Sequence, residues 1–224
     1  MKIILTFILT LLTFQITVGQ VATIQDPDGW TNVRKAPNGK SETILKVYEN
    51  EVFWYDNEEA DQEQDWISIY IPKNDYCLGK SEPNYIVGFI HKSRLLPLEK
   101  LAGYTGNDFT FEYQLSDFDS TNRIIDKQDG KWVTAIDGRP VWGRDGGFPK
   151  VQIKDIKVIV EGQKIEIHNV FFSDIFECDN EFSIYRNGDT YFAHQWNSDG
   201  AGAYEIVWAL DKNGLKQRLV GTII

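Results

Sequence analysis

Cysteine, methionine, histidine and proline are all scarce in this chain: two, one, three and seven among 224 residues. Three histidines leave barely any room for a multi-histidine metal site. The chain has no His-Glu-x-x-His, no Gly-x-Ser-x-Gly, no phosphate-cradling glycine loop and no Cys-x-x-Cys, which removes the commonest hydrolase, nucleotide and redox signatures. Basic residues are also short, with 23 Lys and Arg against 33 Asp and Glu, a net charge of −10. That balance argues against a nucleic-acid binder, which needs a basic stripe to displace phosphate counterions. What is present is aromatic: 7 Trp, 10 Tyr and 13 Phe, side chains that suit pleated, half-buried strands. An apolar fraction of 42% with 25% charged residues fits a folded protein.

The single long apolar run lies at the start. Lys2 precedes Ile3–Phe14, and small residues at Thr17 and Gly19 lead to Gln20. A charge, an apolar core and a small-residue cut site make residues 1–19 a secretory signal peptide. Thr6, Thr10, Thr13 and Gln15 break the run, which falls short of the ~20 residues of a membrane span. The expectation is a secreted or periplasmic protein with no membrane span after cleavage. Export leaves Cys77 and Cys178 open to two readings, a disulfide clamping two halves or two free thiols in separate loops.

Strand and turn signals divide the remainder into a first domain at 20–98, a linker at 99–108 and a second domain at 109–224. In the first, Val52–Tyr55, Trp66–Ile71 and Ile86–Ile90 read as short strands; Trp66, Ser68 and Tyr70 alternate with Ile67, Ile69 and Ile71. Short strands punctuated by glycine and proline predict a small barrel.

The stretch Asp26-Pro27-Asp28-Gly29-Trp30-Thr31-Asn32-Val33-Arg34-Lys35-Ala36-Pro37 resembles the opening of a bacterial Src-homology-3-like (SH3b) domain. Trp66-Ile67-Ser68-Ile69 and Gly88-Phe89-Ile90-His91-Lys92-Ser93-Arg94-Leu95 follow in the family's order. The resemblance covers about a third of the chain. It implies an SH3-like barrel that binds a peptide, a protein or cell-wall material without being catalytic. A long polar loop, Pro72–Tyr85, replaces the family's usual tight hairpin.

The second domain shows three hairpin signatures, at Glu161-Gly162, Arg186-Asn187-Gly188-Asp189 and Asp211-Lys212-Asn213-Gly214. They predict an antiparallel, β-sandwich-like sheet pair, so the fold class is all-β. Val151–Val160 switches its apolar phase near Asp155, which predicts a bulge. One short helix is expected at Val170–Glu177. Val141–Lys150, Phe172–Phe176 and Asn197–Tyr204 resemble segments of uncharacterised exported bacterial β domains, which carry no activity to transfer.

Three chemistries have candidate residues. Cys178 with His194 would make a cysteine peptidase, but Glu177, Asp179 and Glu181 surround the thiol, and neighbouring carboxylates suppress a thiolate. Asp145, Asp174 and Asp199 sit in glycine- and serine-rich turns and are the candidate calcium ligands, though the same residues serve as ordinary turn formers. Residues 56–65 hold six carboxylates and no base. Asp56, Glu58, Glu59 and Asp61 of that run would attract a cationic partner, or simply keep a loop solvated. The candidate ligand-contacting aromatics are Trp30, Trp54, Tyr55, Trp66 and Tyr85. Composition and resemblance together predict an exported, non-catalytic binding protein for a peptide, protein or cell-wall glycopeptide, with no required cofactor. The alternatives are a cell-wall hydrolase with its active site in the second domain, or a calcium-stabilised interaction protein.

Overall fold

A computed structural model describes residues 21–60, 63–79, 85–144, 146–197 and 202–222, apart from the side chains of residues 57 and 58. The expected leader lies outside them. The fold is all-β, with α1 (Asn57–Ala60) as a single helical turn.

Seven strands of the first half form one sheet: β1 (Val21–Ile24), β2 (Trp30–Arg34), β3 (Thr43–Tyr48), β4 (Phe53–Tyr55), β5 (Trp66–Pro72), β6 (Tyr85–His91) and β7 (Leu95–Pro97). Their order is β3-β2-β6-β5-β4-β1-β7. Alternation along β2 and β5 sends Val33, Ile67 and Ile69 inward, where they join Ile24, Phe53 and Ile90 in a first core. Gly88 sits where β6 meets β2. A side chain there would lie 2.4 Å from Val33 and 2.8 Å from Ile44, so only glycine permits the approach.

The closed SH3-like barrel expected from sequence does not form. Among the described residues, β3 and β7 are the two edges of the sheet and do not pair with each other. The second half covers the opposite face of this sheet. Val21, Val52, Trp54 and Leu98 turn away from the first core and pack against Phe192, Val207, Ala209 and Leu219. Alternation and turn residues reveal strands; they carry no information on which edges meet.

The second half comprises β8 (Phe109–Asp117), β9 (Ile125–Gln128), β10 (Trp132–Ile136), β11 (Val151–Val160), β12 (Gln163–Ile165), β13 (Ser183–Asn187), β14 (Thr190–Asn197), β15 (Tyr204–Asp211) and β16 (Gly214–Gly221). Sheets β12-β11-β8 and β13-β14-β15-β16 turn their apolar faces to one core. The Trp208 indole donates to the Tyr113 hydroxyl at 2.7 Å and ties the two sheets. Gly188 and Gly214 take φ of 58° and 128° at the β13–β14 and β15–β16 turns, the left-handed region that those hairpins need. The ladder between β8 and β11 slips between Ile153 and Asp155, the bulge that the phase change predicted. The helix expected at 170–177 is only a 3-10 turn at Asn169–Phe171.

The stretch at 99–108 is docked. Leu98 is 1% exposed, Leu101 packs on the shared core, and the Tyr104 amide donates to the Ile184 carbonyl at 2.8 Å. Polar bonds reinforce this join. The buried Gln217 carboxamide donates to the Val52 carbonyl at 2.8 Å and accepts from the Val52 amide at 2.7 Å.

Arg218 completes it. This side chain is fully buried and paired with Asp174 at 2.7 Å. Its guanidinium also donates to the carbonyls of Tyr76, Cys77 and Phe171, and its amide donates to the Asp75 carbonyl at 2.8 Å. Arg139 holds the same carboxylate at 2.7 Å. A guanidinium removed from water is tolerable only when its charge and donors are met. Asp174→Asn keeps the shape and removes the charge that both arginines share. It is expected to cost about 3–5 kcal/mol, read as a lower midpoint in urea unfolding; a loss below about 1 kcal/mol would show that the carbonyls alone suffice.

Candidate functional site

Two of the expected contact aromatics meet in one groove of about 230 Å³ at one end of the seven-stranded sheet, where β2 and β5 start and β6 ends. The turn before β2 sets its first wall. The Asp26 carboxylate accepts from the Asp28 amide at 3.1 Å, and Gly29, at φ 73°, delivers the chain into Trp30. Alternation along β2 buries Val33 and leaves Trp30, Asn32 and Arg34 facing the groove. Trp66 and His91 are cross-strand partners, and their rings meet edge to face with centroids 5.6 Å apart. That geometry contributes about 0.5–1.5 kcal/mol beyond burial and fixes the indole plane.

The polar groups are fixed in the same way. His91 Nδ1 accepts from the Ser93 amide at 3.2 Å. Arg94 pairs with Asp26 at 3.2 Å, a bond that carries the 3-10 turn Lys92–Arg94 against the Asp26 turn. Arg34 donates to the Ser41 carbonyl at 3.0 Å and the Thr43 hydroxyl at 2.8 Å. Both partners are neutral, so its positive charge stays available. The Lys46 ammonium lies 3.3 Å from the Trp30 ring centroid, a cation–π contact of about 0.5–1 kcal/mol at an exposed position. The groove therefore offers two oriented indoles, an imidazole and the Arg34 guanidinium, with the carboxylates of Asp26, paired to Arg94, and Asp28 also in its lining.

The other expected contact residues fall elsewhere. Trp54 and Tyr55 are 3% and 4% exposed and belong to the shared and first cores. Tyr85 is half-buried against the shared core, and a side chain on Gly221 would meet its hydroxyl at 2.8 Å. Asp56 caps α1 by accepting from the Glu59 amide at 2.9 Å, and Glu59 accepts from the Ser68 amide at 2.7 Å. Both carboxylates thus do local structural work. Burial, with Asp56 and Glu59 nearby, raises the Tyr70 phenol pKa. The Glu58 side chain and Asp61 lie outside the described residues.

Of the proposed calcium ligands, Asp145 and Asp199 are also outside. Asp174 is 1% exposed, with both oxygens taken by Arg139 and Arg218. A carboxylate so engaged has no lone pairs aimed at an open site. Among the described residues no group of three or more His, Cys, Asp or Glu is placed to hold a metal ion.

Cys77 and Cys178 are both free. Burial pushes the Cys178 thiol up to about 12, with Asp179 and Glu177 adding to the shift. That is the reverse of what a nucleophile needs. His194 is engaged by the buried Glu205 carboxylate.

No family model, curated protein or solved structure matches the chain. With the sheet left open, the SH3b resemblance of residues 26–37, 66–69 and 88–95 has no support, and the resemblance of the second half to exported β domains has none either.

Sequence reasoning missed Arg34, His91, Arg94 and Asp26 as groove residues. His91 had a findable signal, because pairing Trp66 with the far end of β6 places that ring beside the indole.

The raised Cys178 thiol carries a pH consequence. Between the ordinary thiol value near 8.5 and about 12, the unfolded chain ionises at this position and the folded chain does not. Stability therefore falls as pH rises through that window. Chemical unfolding at pH 8 and pH 10 is expected to show a smaller drop for Cys178→Ala than for the parent. Equal drops would mean that the thiol ionises in the folded protein.

Proposed function

We propose that the protein is an exported, non-catalytic binding protein whose ligand is a peptide held between Trp30 and Trp66. The carrying observation is the groove itself: two indoles fixed by an edge-to-face imidazole and an ammonium, beside the Arg34 guanidinium with only neutral partners. Indole faces take up flat apolar groups at low entropic cost. A guanidinium whose partners are neutral favours a carboxylate, by a charge-assisted bond. The matching ligand is a peptide that presents a carboxylate next to an apolar or aromatic side chain.

A pocket of this size takes one or two side chains, so affinity is modest and sharply dependent on the anchors. The unreactive Cys178 thiol and the engaged His194 support a binding role over a hydrolytic one. The leader-like segment 1–19 supports export.

The test is titration of the protein with short peptides ending in Phe-Asp or Phe-Glu, followed by tryptophan fluorescence. Trp66→Ala and Arg34→Gln are each expected to weaken binding about tenfold or more, roughly 1–3 kcal/mol. Trp196→Ala, an exposed indole on β14, serves as the control and leaves it unchanged. Peptide amides ending in Phe-Asn or Phe-Gln, which carry no carboxylate there, binding as well as the acids, or parent-like affinity in Trp66→Ala, would defeat the reading. Soluble wall glycopeptides form a separate arm; tight binding there with no peptide binding replaces the ligand class.

A further inference from the structure

A second recess lies on the other half of the molecule and is independent of the Trp30–Trp66 groove. It has a volume of about 300 Å³ and is lined by Tyr104, Phe109, Phe111, Asn180, Phe182 and Ile184. One wall is the open edge of β8, the end strand of its three-stranded sheet.

The direction of the backbone groups on that edge follows from two bonds. The Glu161 amide donates to the Asp108 carbonyl at 2.6 Å, which makes the Phe109–Val160 register position a non-hydrogen-bonded pair. Phe109, Phe111 and Tyr113 therefore turn their amides and carbonyls away from β11, because the direction alternates along a strand. At Tyr113 those outward groups are satisfied by a side chain. The Asn180 carboxamide accepts from the Tyr113 amide at 2.6 Å and donates to the Tyr113 carbonyl at 3.0 Å. Asn180 thus occupies the place of a neighbouring strand's peptide group. Two and four residues earlier, Phe111 and Phe109 present the same pair of groups to the recess.

We infer that this recess binds an extended segment of a partner polypeptide, which pairs with β8 at Phe109 and Phe111 and places one apolar side chain among Tyr104, Phe182 and Ile184. Backbone pairing supplies the affinity and the apolar side chain supplies the selection, the usual division of labour in strand addition. The carboxamide at Tyr113 shows that the edge accepts an amide at normal distance. It also ends the site, so the incoming segment pairs over Phe109–Phe111 alone. A second copy of this chain is a poor occupant. Pairing β8 to β8 is hindered because each edge lies within a recess walled by Tyr104 and Phe182, and pairing through another edge of a second copy is the dimer outcome of the exchange experiment.

Hydrogen exchange followed by NMR tests the inference, with acetyl-Thr-Val-Thr-Leu-Thr-Val-Thr-amide as the probe. Saturating peptide is expected to slow exchange of the Phe109 and Phe111 amides at least tenfold and to leave Tyr113 unchanged. N-methylation of alternate peptide amides distinguishes the two edges of the probe. One alternate set is expected to abolish the slowing and the other to preserve it. Ile184→Lys is expected to weaken the effect at least tenfold with an unaltered melting temperature. Three results would each overturn the inference: no slowing at Phe109 and Phe111 at millimolar peptide, equal tolerance of both methylated probes, or slowing without peptide in a sample that sediments as a dimer.

Discussion

A guanidinium that water does not reach must find its counter-charge and its acceptors inside the protein, or the fold fails. Arg218 sets this requirement here. It projects from β16 and is met by Asp174, by the carbonyl of Phe171, and by the carbonyls of Tyr76 and Cys77 from the loop after β5. Three stretches far apart in sequence must therefore arrive together. The loop after β5 is one of them. The second half holds its backbone carbonyls and also the Tyr76 ring, whose centroid lies 4.7 Å from that of Phe171.

The apolar counterpart of this clamp is the shared core. Val21, Val52 and Trp54 from the first sheet meet Phe192, Val207, Ala209 and Leu219 from β14–β16. Residues between the halves contribute as well, through Leu98 and Leu101. Burial on both faces explains why β4 has no exposed residue: Phe53 and Tyr55 serve one core and Trp54 the other. The cost is that neither half has a complete surface of its own.

Local rules read much of the fold from the sequence. The Asn187-Gly188 and Asn213-Gly214 turns, the Ile67–Ile69 inward face and the bulge before Asp155 all follow from φ > 0 tolerance and side-chain alternation. β9 escaped because three of its four residues are polar and exposed, which leaves no alternation to detect. The closed barrel does not form: edge pairing is a long-range property that local alternation does not encode, and among the described residues β3 and β7 do not pair with each other. The site was half legible. Trp30 and Trp66 stand out as aromatics at strand starts, whereas Trp54 and Tyr55 have the same appearance and lie in cores. Only the strand register separates the two cases, and it also brings His91 to Trp66.

The cradle around Arg218 also places a constraint on time. Synthesis proceeds from the N-terminus, and Cys77 and Arg218 stand 141 residues apart. At ~5–20 residues per second, the carbonyls of the loop wait on the order of ten seconds for the side chain that will bind them. For that interval the first sheet has an uncovered apolar face and no partner to bury it. That face is buried only once β14–β16 have been made, and the Arg218 cradle is completed by β16, the last of the described strands.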